Sequence, residues 1–289
     1  MKTGFIGLGA MGYSMAANLH KAGLLAGVWN RNPVRAAGFC QNLAGPAYSE
    51  LASLAANCQA LVICVSADAD VLAVIEELTP ALKPGSLIID CSTVSQETAI
   101  EAAGRVEAVG GHFLDAPVSG GTEGAKQGTL TIMAGGSEEG FALARPILEA
   151  MGRRIEHMGP VGAGQATKAV NQVMAAGINQ AVGEALAFAE ALNLPLDKVI
   201  DVVGSGAAGN WFVNHRGPTM VRGEFPPGFK MALHHKDLRI CQAMAKKAGG
   251  ALPLTERTML EYEELMDAGY GDEDISALYR RLRRLFPEE

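Results

Sequence analysis

The feature that most limits what this chain can become is Gly159 to Leu192, a glycine-punctuated entry followed by a proline-free run rich in small residues. From Ala163 to Leu192 nothing interrupts a helical reading, and a helix of that length extends about 45 Å, longer than a typical domain helix. Such an element belongs to two neighbourhoods. The chain before it alternates strand-like and helix-like segments, whereas the chain after it reads as helix alone. An alternating half calls for a sheet covered by helices and a helical half for helix-on-helix packing. The run therefore reads as a spine between two domains, residues 1–162 and 163–289. Near its start Lys168, Asn171 and Gln172 fall at i, i+3 and i+4, which puts a lysine and two amides on one helical face. By spacing alone such a lysine is more often a surface residue than a catalyst.

The length of 289 residues suits two domains, and 48% hydrophobic against 19% charged residues is enough apolar material for two cores. With 24 basic and 31 acidic residues and no basic block, the net charge of −7 argues against a nucleic-acid partner. No apolar run has the length of a membrane span or the form of a signal peptide, so the reading is a cytoplasmic protein. The five cysteines are scattered and several stand in apolar runs, as small buried hydrophobes do, so neither bridges nor a metal site is expected.

Lys2 to Ile6 reads as a strand that enters Gly7-Leu8-Gly9-Ala10-Met11-Gly12 and then a helix. In that context the glycines permit a tight turn, close approach of a pyrophosphate and close helix–strand packing, and the helix N-terminus offers N–H donors to the anion. The next strand, Leu24 to Trp29, ends in Asn30-Arg31-Asn32 and supplies no carboxylate where an NAD ribose would find one. Asn30 can hydrogen-bond a ribose and Arg31 can pair with a 2′-phosphate, so the expected cofactor is NADP, with NAD bound more weakly. Ala60 to Val65 and Ser86 to Cys91 are continuous apolar runs, as in a parallel sheet covered on both faces. At their carboxyl ends, where doubly wound sheets bind ligands, stand Val65 and Ser66 in one case and Thr93 in the other. Thr93 reads both as a nicotinamide-ribose contact and as part of a helix cap before Gln96. His112 to Ala116 leads into Pro117-Val118-Ser119-Gly120-Gly121, a turn whose hydroxyl and exposed N–H groups suit a small carboxylate.

In the second half, Pro195 to Val203 reads as a helix, followed by a glycine-rich turn ending in Trp211-Phe212. His234 to Lys247, Pro253 to Ala268 and Asp272 to Leu285 also read as helices. His234 and His235 are adjacent and so point to different helix faces, which leaves no metal set. Tyr279 to Arg284 reads as a solvated basic face.

Four motifs, Gly4 to Gly12, Asp115 to Gly121 (DAPVSGG), Gly162 to Asn171 (GAGQATKAVN) and Lys236-Asp237-Leu238, occur in the order and spacing of the β-hydroxyacid dehydrogenases, which the chain resembles over its whole length. The resemblance implies a Rossmann-type doubly wound α/β domain followed by an all-α domain, with substrate held between them. Position by position, it implies that Lys168 is the catalytic lysine, that Ser119, Gly120 and Gly121 hold the substrate carboxylate, and that Thr93 and Lys236 contact the cofactor. Trp211 would border the pocket. Many members carry asparagine four residues after the lysine, where this chain has Gln172 with Asn171 before it. Which amide orients the substrate stays open.

The implied enzyme transfers hydride between NADP(H) and a short β-hydroxy acid or the matching semialdehyde, of the 3-hydroxyisobutyrate, tartronate semialdehyde, glyoxylate or succinic semialdehyde class, with Lys168 as general acid and base. A dimer or tetramer is expected, since the apolar helices around the spine exceed what one small domain covers. The competing reading is an inactive dinucleotide-binding sensor or assembly subunit, which would need neither Lys168 nor the Ser119 loop.

Overall fold

The computed structural model of the chain describes residues 1–43 and 45–286. It contains two compact units, Met1–Lys168 and Ala169–Glu289, dividing inside the spine helix rather than at its start. The first unit is built on β1 (Thr3–Ile6), β2 (Leu25–Trp29), β3 (Ala60–Ile63), β4 (Leu87–Asp90), β5 (His112–Asp115), β6 (Val118–Ser119), β7 (Leu130–Gly136) and β8 (Gly152–Gly159). They form one sheet in the order β2-β1-β3-β4-β5-β7-β6, with β8 also paired to β7. The first five strands run parallel; β7 is antiparallel to β5 and β6 and parallel to β8. Helices α1 (Ala10–Lys21), α2 (Pro33–Leu43), α3 (Leu51–Asn57), α4 (Asp68–Leu78), α5 (Gln96–Glu107), α6 (Gly121–Gln127) and α7 (Glu138–Met151) connect them.

The strands alternate between two cores, which explains their continuous apolar runs. Phe5, Val62, Ile89 and Leu114 enter one cluster with Met15, Leu19 and Leu148, while Ile6, Leu61, Ile63 and Ile88 enter another with Leu54, Ile75 and Val106. With both faces of the sheet covered, ligands are left the carboxyl ends of the parallel strands, and β1 lies between β2 and β3, so the strand order reverses there. Continuous apolar sequence and a ligand crevice at the carboxyl ends are two consequences of one arrangement.

The spine is α8 (Ala163–Ala191). The second unit continues with α9 (Leu196–Ser205), α10 (Trp211–His215), α11 (Gly217–Val221), α12 (Met231–Lys247), α13 (Pro253–Asp267) and α14 (Tyr279–Leu282), the last flanked by two short 3₁₀ turns. Its core joins Ala176, Val182 and Leu186 of α8 to Ile200, Met220, Leu238, Tyr262 and Leu278. Tyr279 to Arg284 is less a free basic face than a set of ion pairs: Arg280 meets Glu273, Arg281 meets Glu264 and Arg283 meets Glu190. The helix expected from Asp272 begins only after Asp274, whose carboxylate accepts from Arg216 and from the backbone N–H groups of Phe229 and Ser276. Among the described residues no helix is long and apolar enough to cross a membrane.

Candidate active site

The glycine turn joins β1 to α1 as its residue types require. Gly7 has φ +97°, and a Cβ there would stand 2.2 Å from the Cys64 carbonyl oxygen. A Cβ on Gly12 would stand 2.0 Å from the Gly7 carbonyl oxygen, whereas one on Gly9 would meet nothing within 4 Å. Two glycines are thus required by packing, and the middle one opens the backbone to a neighbour. Gly9 caps α1 without a side-chain hydrogen bond, and no acidic residue stands in the first turn, where Ala10 and Met11 begin the helix. That end keeps its positive character for an anion. Leu8 is buried and its N–H donates to Asn30 Oδ1 at 2.8 Å, which locks the glycine turn to the end of β2.

Gly7, Gly9, Asn30, Arg31, Asn32, Val65 and Ser66 line one cavity of about 550 Å³ at the β1/β3 switch, together with Arg35, Asp70 and Glu77. The cavity is of the size of cofactor sites, and its glycine floor fits a dinucleotide pyrophosphate. The amides of the second turn are used locally. Asn30 Nδ2 donates to the Asn32 carbonyl, and Asn32 Oδ1 accepts from the Val34 N–H. Arg31 extends outward and is held at 2.8 Å by Asp70.

At the ends of β4 and β5, two residues that spacing had not singled out dock α8. The Asp115 carboxylate is wholly buried and accepts from the N–H groups of Gly162 at 2.7 Å and Gln165 at 2.8 Å. Burial pushes this carboxyl up to about 6, against the opposing pull of the backbone N–H groups of Gly162, Gln165, its own residue and Gly164. Gln165 donates to the Ser92 carbonyl and accepts from the Val94 N–H, so it grips the loop on either side of Thr93. The cap of α5 is Ser95 rather than Thr93, since the Ser95 hydroxyl accepts from Thr98 N–H. Asp68 braces the same corner. Burial works to raise its carboxyl, yet hydrogen bonds from Ser95 and Thr98 hold it below the ordinary value.

With its first turn fixed in this way, α8 carries Lys168 to the strand β6. Lys168 is buried, 7% exposed, and its Nζ donates to the Val118 carbonyl at 2.8 Å. Val118 immediately precedes Ser119-Gly120-Gly121, where Gly120 has φ +128° and Gly121 opens α6 with φ +61°. The lysine and the carboxylate loop are therefore brought together within the first unit. The short strand and the helix at this loop were not expected from sequence, because two residues of strand and seven of a glycine-containing helix leave no periodicity to read.

Within the helical unit, Gln172 is buried and donates to Asp237 Oδ2 at 2.7 Å, and Asn171 Nδ2 donates to Gln172 Oε1 at 2.8 Å. Lys236 Nζ meets the other oxygen of Asp237 at 2.9 Å. The Gln172 amide is thus tied into a chain between Asn171 and Asp237. His234 is buried against Tyr262 and the Gln172 carbonyl, and His235 pairs with Glu263; among the described residues no cluster suits a metal ion. Trp211 begins α10, 54% exposed, with its ring stacked on His215 and the Arg216 guanidinium 5.1 Å from its centre.

Residues 2–159 match the family described as the NAD binding domain of 6-phosphogluconate dehydrogenase, and residues 162–282 match the NAD-binding region of NADP-dependent 3-hydroxyisobutyrate dehydrogenase. The chain is 34% identical to the 2-hydroxy-3-oxopropionate reductase of Escherichia coli, covering 98% of this chain and 97% of that protein. It is 34% identical to the NAD-dependent L-serine dehydrogenase of Pseudomonas aeruginosa, with 96% of each covered. The solved structure of Mycobacterium tuberculosis 3-hydroxyisobutyrate dehydrogenase with L-serine superposes with a TM-score of 0.89 at 33% identity, over 98% of this chain and 99% of that one. With the glycine turn, the doubly wound sheet and the helical region in the same order, the chain belongs to the β-hydroxyacid dehydrogenase family and is an NAD(P)-dependent enzyme of it.

Proposed function

We propose that the enzyme interconverts a short β-hydroxy acid and its semialdehyde or keto acid with NADP(H) as preferred cofactor, using Lys168 as general acid and base. The observation that carries this reading is the Lys168 Nζ bond to Val118, which anchors a buried ammonium beside the Ser119–Gly121 loop. The loop's hydroxyl and backbone N–H groups suit a substrate carboxylate. A bound nicotinamide supplies hydride exchange at the neighbouring carbon. Lys168 gives a proton to the oxygen of the carbonyl being reduced and, in the reverse direction, its neutral amine takes that proton from the hydroxyl. Asn171 and Gln172 are the amides proposed to orient the hydroxyl in this reading; Gln172 donates to Asp237 and Asn171 to Gln172. Asp115 and Gln165 keep the lysine in register by fixing the helix that carries it.

The preference for NADP(H) rests on Arg31 and on the lack of a carboxylate at the end of β2. A charge-assisted contact from the guanidinium to a 2′-phosphate favours NADPH over NADH by about tenfold to a hundredfold in kcat/KM. Among relatives the named cofactor and substrate differ, one being an NAD-dependent L-serine dehydrogenase, so both are tested together. Purified enzyme is assayed with NADPH and NADH against short semialdehydes, keto acids and the corresponding hydroxy acids, L-serine included. Turnover confined to small carboxylate-bearing substrates and faster with NADPH supports the reading. Equal turnover of aldehydes lacking a carboxylate would remove the role of the loop, and a preference for NADH would remove that of Arg31.

A further inference from the structure

Asp70 lines the same cavity as Gly7, Gly9 and Arg31. On α4, Asp70, Ala73, Val74 and Glu77 recur at i, i+3, i+4 and i+7, and all four line the cavity, so one face of that helix is turned to it. Asp70 Oδ1 accepts from Arg31 Nη1 at 2.8 Å. The side chains are unequal: Arg31 is 83% exposed and Asp70 25%, so the carboxylate is the fixed partner and the guanidinium the movable one. Asp70 engages one nitrogen of the guanidinium, and Arg carries five N–H donors in a planar fork. A phosphate clasped by the remaining donors would then have a carboxylate within about one guanidinium width of it.

We infer that Asp70 is a cofactor-specificity residue: it shares Arg31 and sets a negative charge beside the 2′-phosphate position, and so holds the preference for NADP(H) over NAD(H) below what Arg31 alone would give. The inference rests on the reading of Arg31 as the 2′-phosphate contact. A phosphate monoester carries about −1.5 to −2 charges near neutral pH. Set about 6 Å from a carboxylate in a water-like dielectric, it is disfavoured by a factor of about five to ten. An NAD ribose has no such charge and feels no such penalty. Because the pair is solvent-facing, the effect fades as added salt shortens the screening length.

The test is calorimetric titration of NADP⁺ and NAD⁺ against wild type, Asp70→Asn, Asp70→Ser and Arg31→Ala, with a thermal melt of each to establish that it is folded. Both Asp70 variants are expected to raise the ratio of NADP⁺ to NAD⁺ affinity by about five- to tenfold at low ionic strength, the gain shrinking at about 0.5 M salt. Arg31→Ala is expected to lower the same ratio. If Arg31→Ala lowers it while both Asp70 variants leave it unchanged or lower it too, the inference is overturned and the reading of Arg31 stands. If Arg31→Ala leaves NADP⁺ affinity unchanged, the reading of Arg31 falls and takes the inference with it.

Discussion

Replacing Asp115 by asparagine tests whether the docking of α8 rests on a buried carboxylate. Asp115 accepts from Gly162 and Gln165 N–H with its two different oxygens, and the side chain has no exposure to water. Asparagine keeps one acceptor and turns an NH₂ toward the other donor, which leaves a buried backbone N–H unpaired at a cost of about 1–3 kcal/mol. The pH dependence has a defined sign. The folded carboxyl lies at about 6 and the ordinary value is 3.8, so between those values the folded state holds a proton that the unfolded chain has released. The contribution of this group is greatest below the lower value, falls as pH rises through the window and is level above it. The deficit of the variant should therefore be about 1–3 kcal/mol at pH 7.5 and grow as pH falls toward about 4.5. Urea unfolding followed by Trp29 fluorescence in a Trp211→Phe background reports on the α/β unit alone. A variant as stable as its parent at every pH, or a deficit that shrinks on acidification, would refute the argument.

Gly164→Ala should be destabilised by about 1–3 kcal/mol in the same urea assay, because a Cβ there would stand 2.3 Å from the Met133 carbonyl oxygen and 2.5 Å from that of Asp115; an unchanged midpoint would mean that the helix shifts freely. In the helical unit, Asp274→Ala leaves Arg216, 14% exposed, without its carboxylate, and a loss of about 3–5 kcal/mol is expected for breaking a buried pair, read as a lowered thermal midpoint. Phe188, Leu192, Leu194 and Val202 are each about half exposed or more, and an apolar surface of this kind is expected to be covered by a second copy. Light scattering should give a mass at least twice 30.2 kDa; a monomer at micromolar concentration would contradict it.

The sheet was legible in sequence because strands dry on both faces are continuous apolar runs, and Ala60–Ile63 and Leu87–Asp90 fall inside the two runs read from residues alone. The glycine turn and the residues at the ends of β2 and β3 were legible for the same reason: once strand ends are known, parallel strands bring their carboxyl ends to one edge. What sequence could not give were partners distant along the chain. Asp115 was visible as part of a motif, but its acceptor role toward Gly162 and Gln165 is a tertiary fact. The pair of Arg31 with Asp70 was hidden likewise, since charged residues in a turn and in a helix carry no mark of each other. Gln172 looked equivalent to Asn171 by helical spacing, and only the carboxylate of Asp237 from another helix separates them. Asp274 delays a helix that propensity alone would begin earlier, because four hydrogen bonds from Arg216, Gly228 and Phe229 and a local cap to Ser276 outweigh a few tenths of a kcal/mol per residue.

If the buried lysine beside the Ser119 loop moves the proton, turnover depends on its amine. The decisive measurement is the steady-state turnover of Lys168→Ala with the best substrate, beside a calorimetric titration of cofactor. In this variant kcat is expected to fall by about a hundredfold or more while the cofactor dissociation constant changes little. Turnover within a few fold of wild type, in a variant that binds cofactor normally, would contradict that role of the lysine.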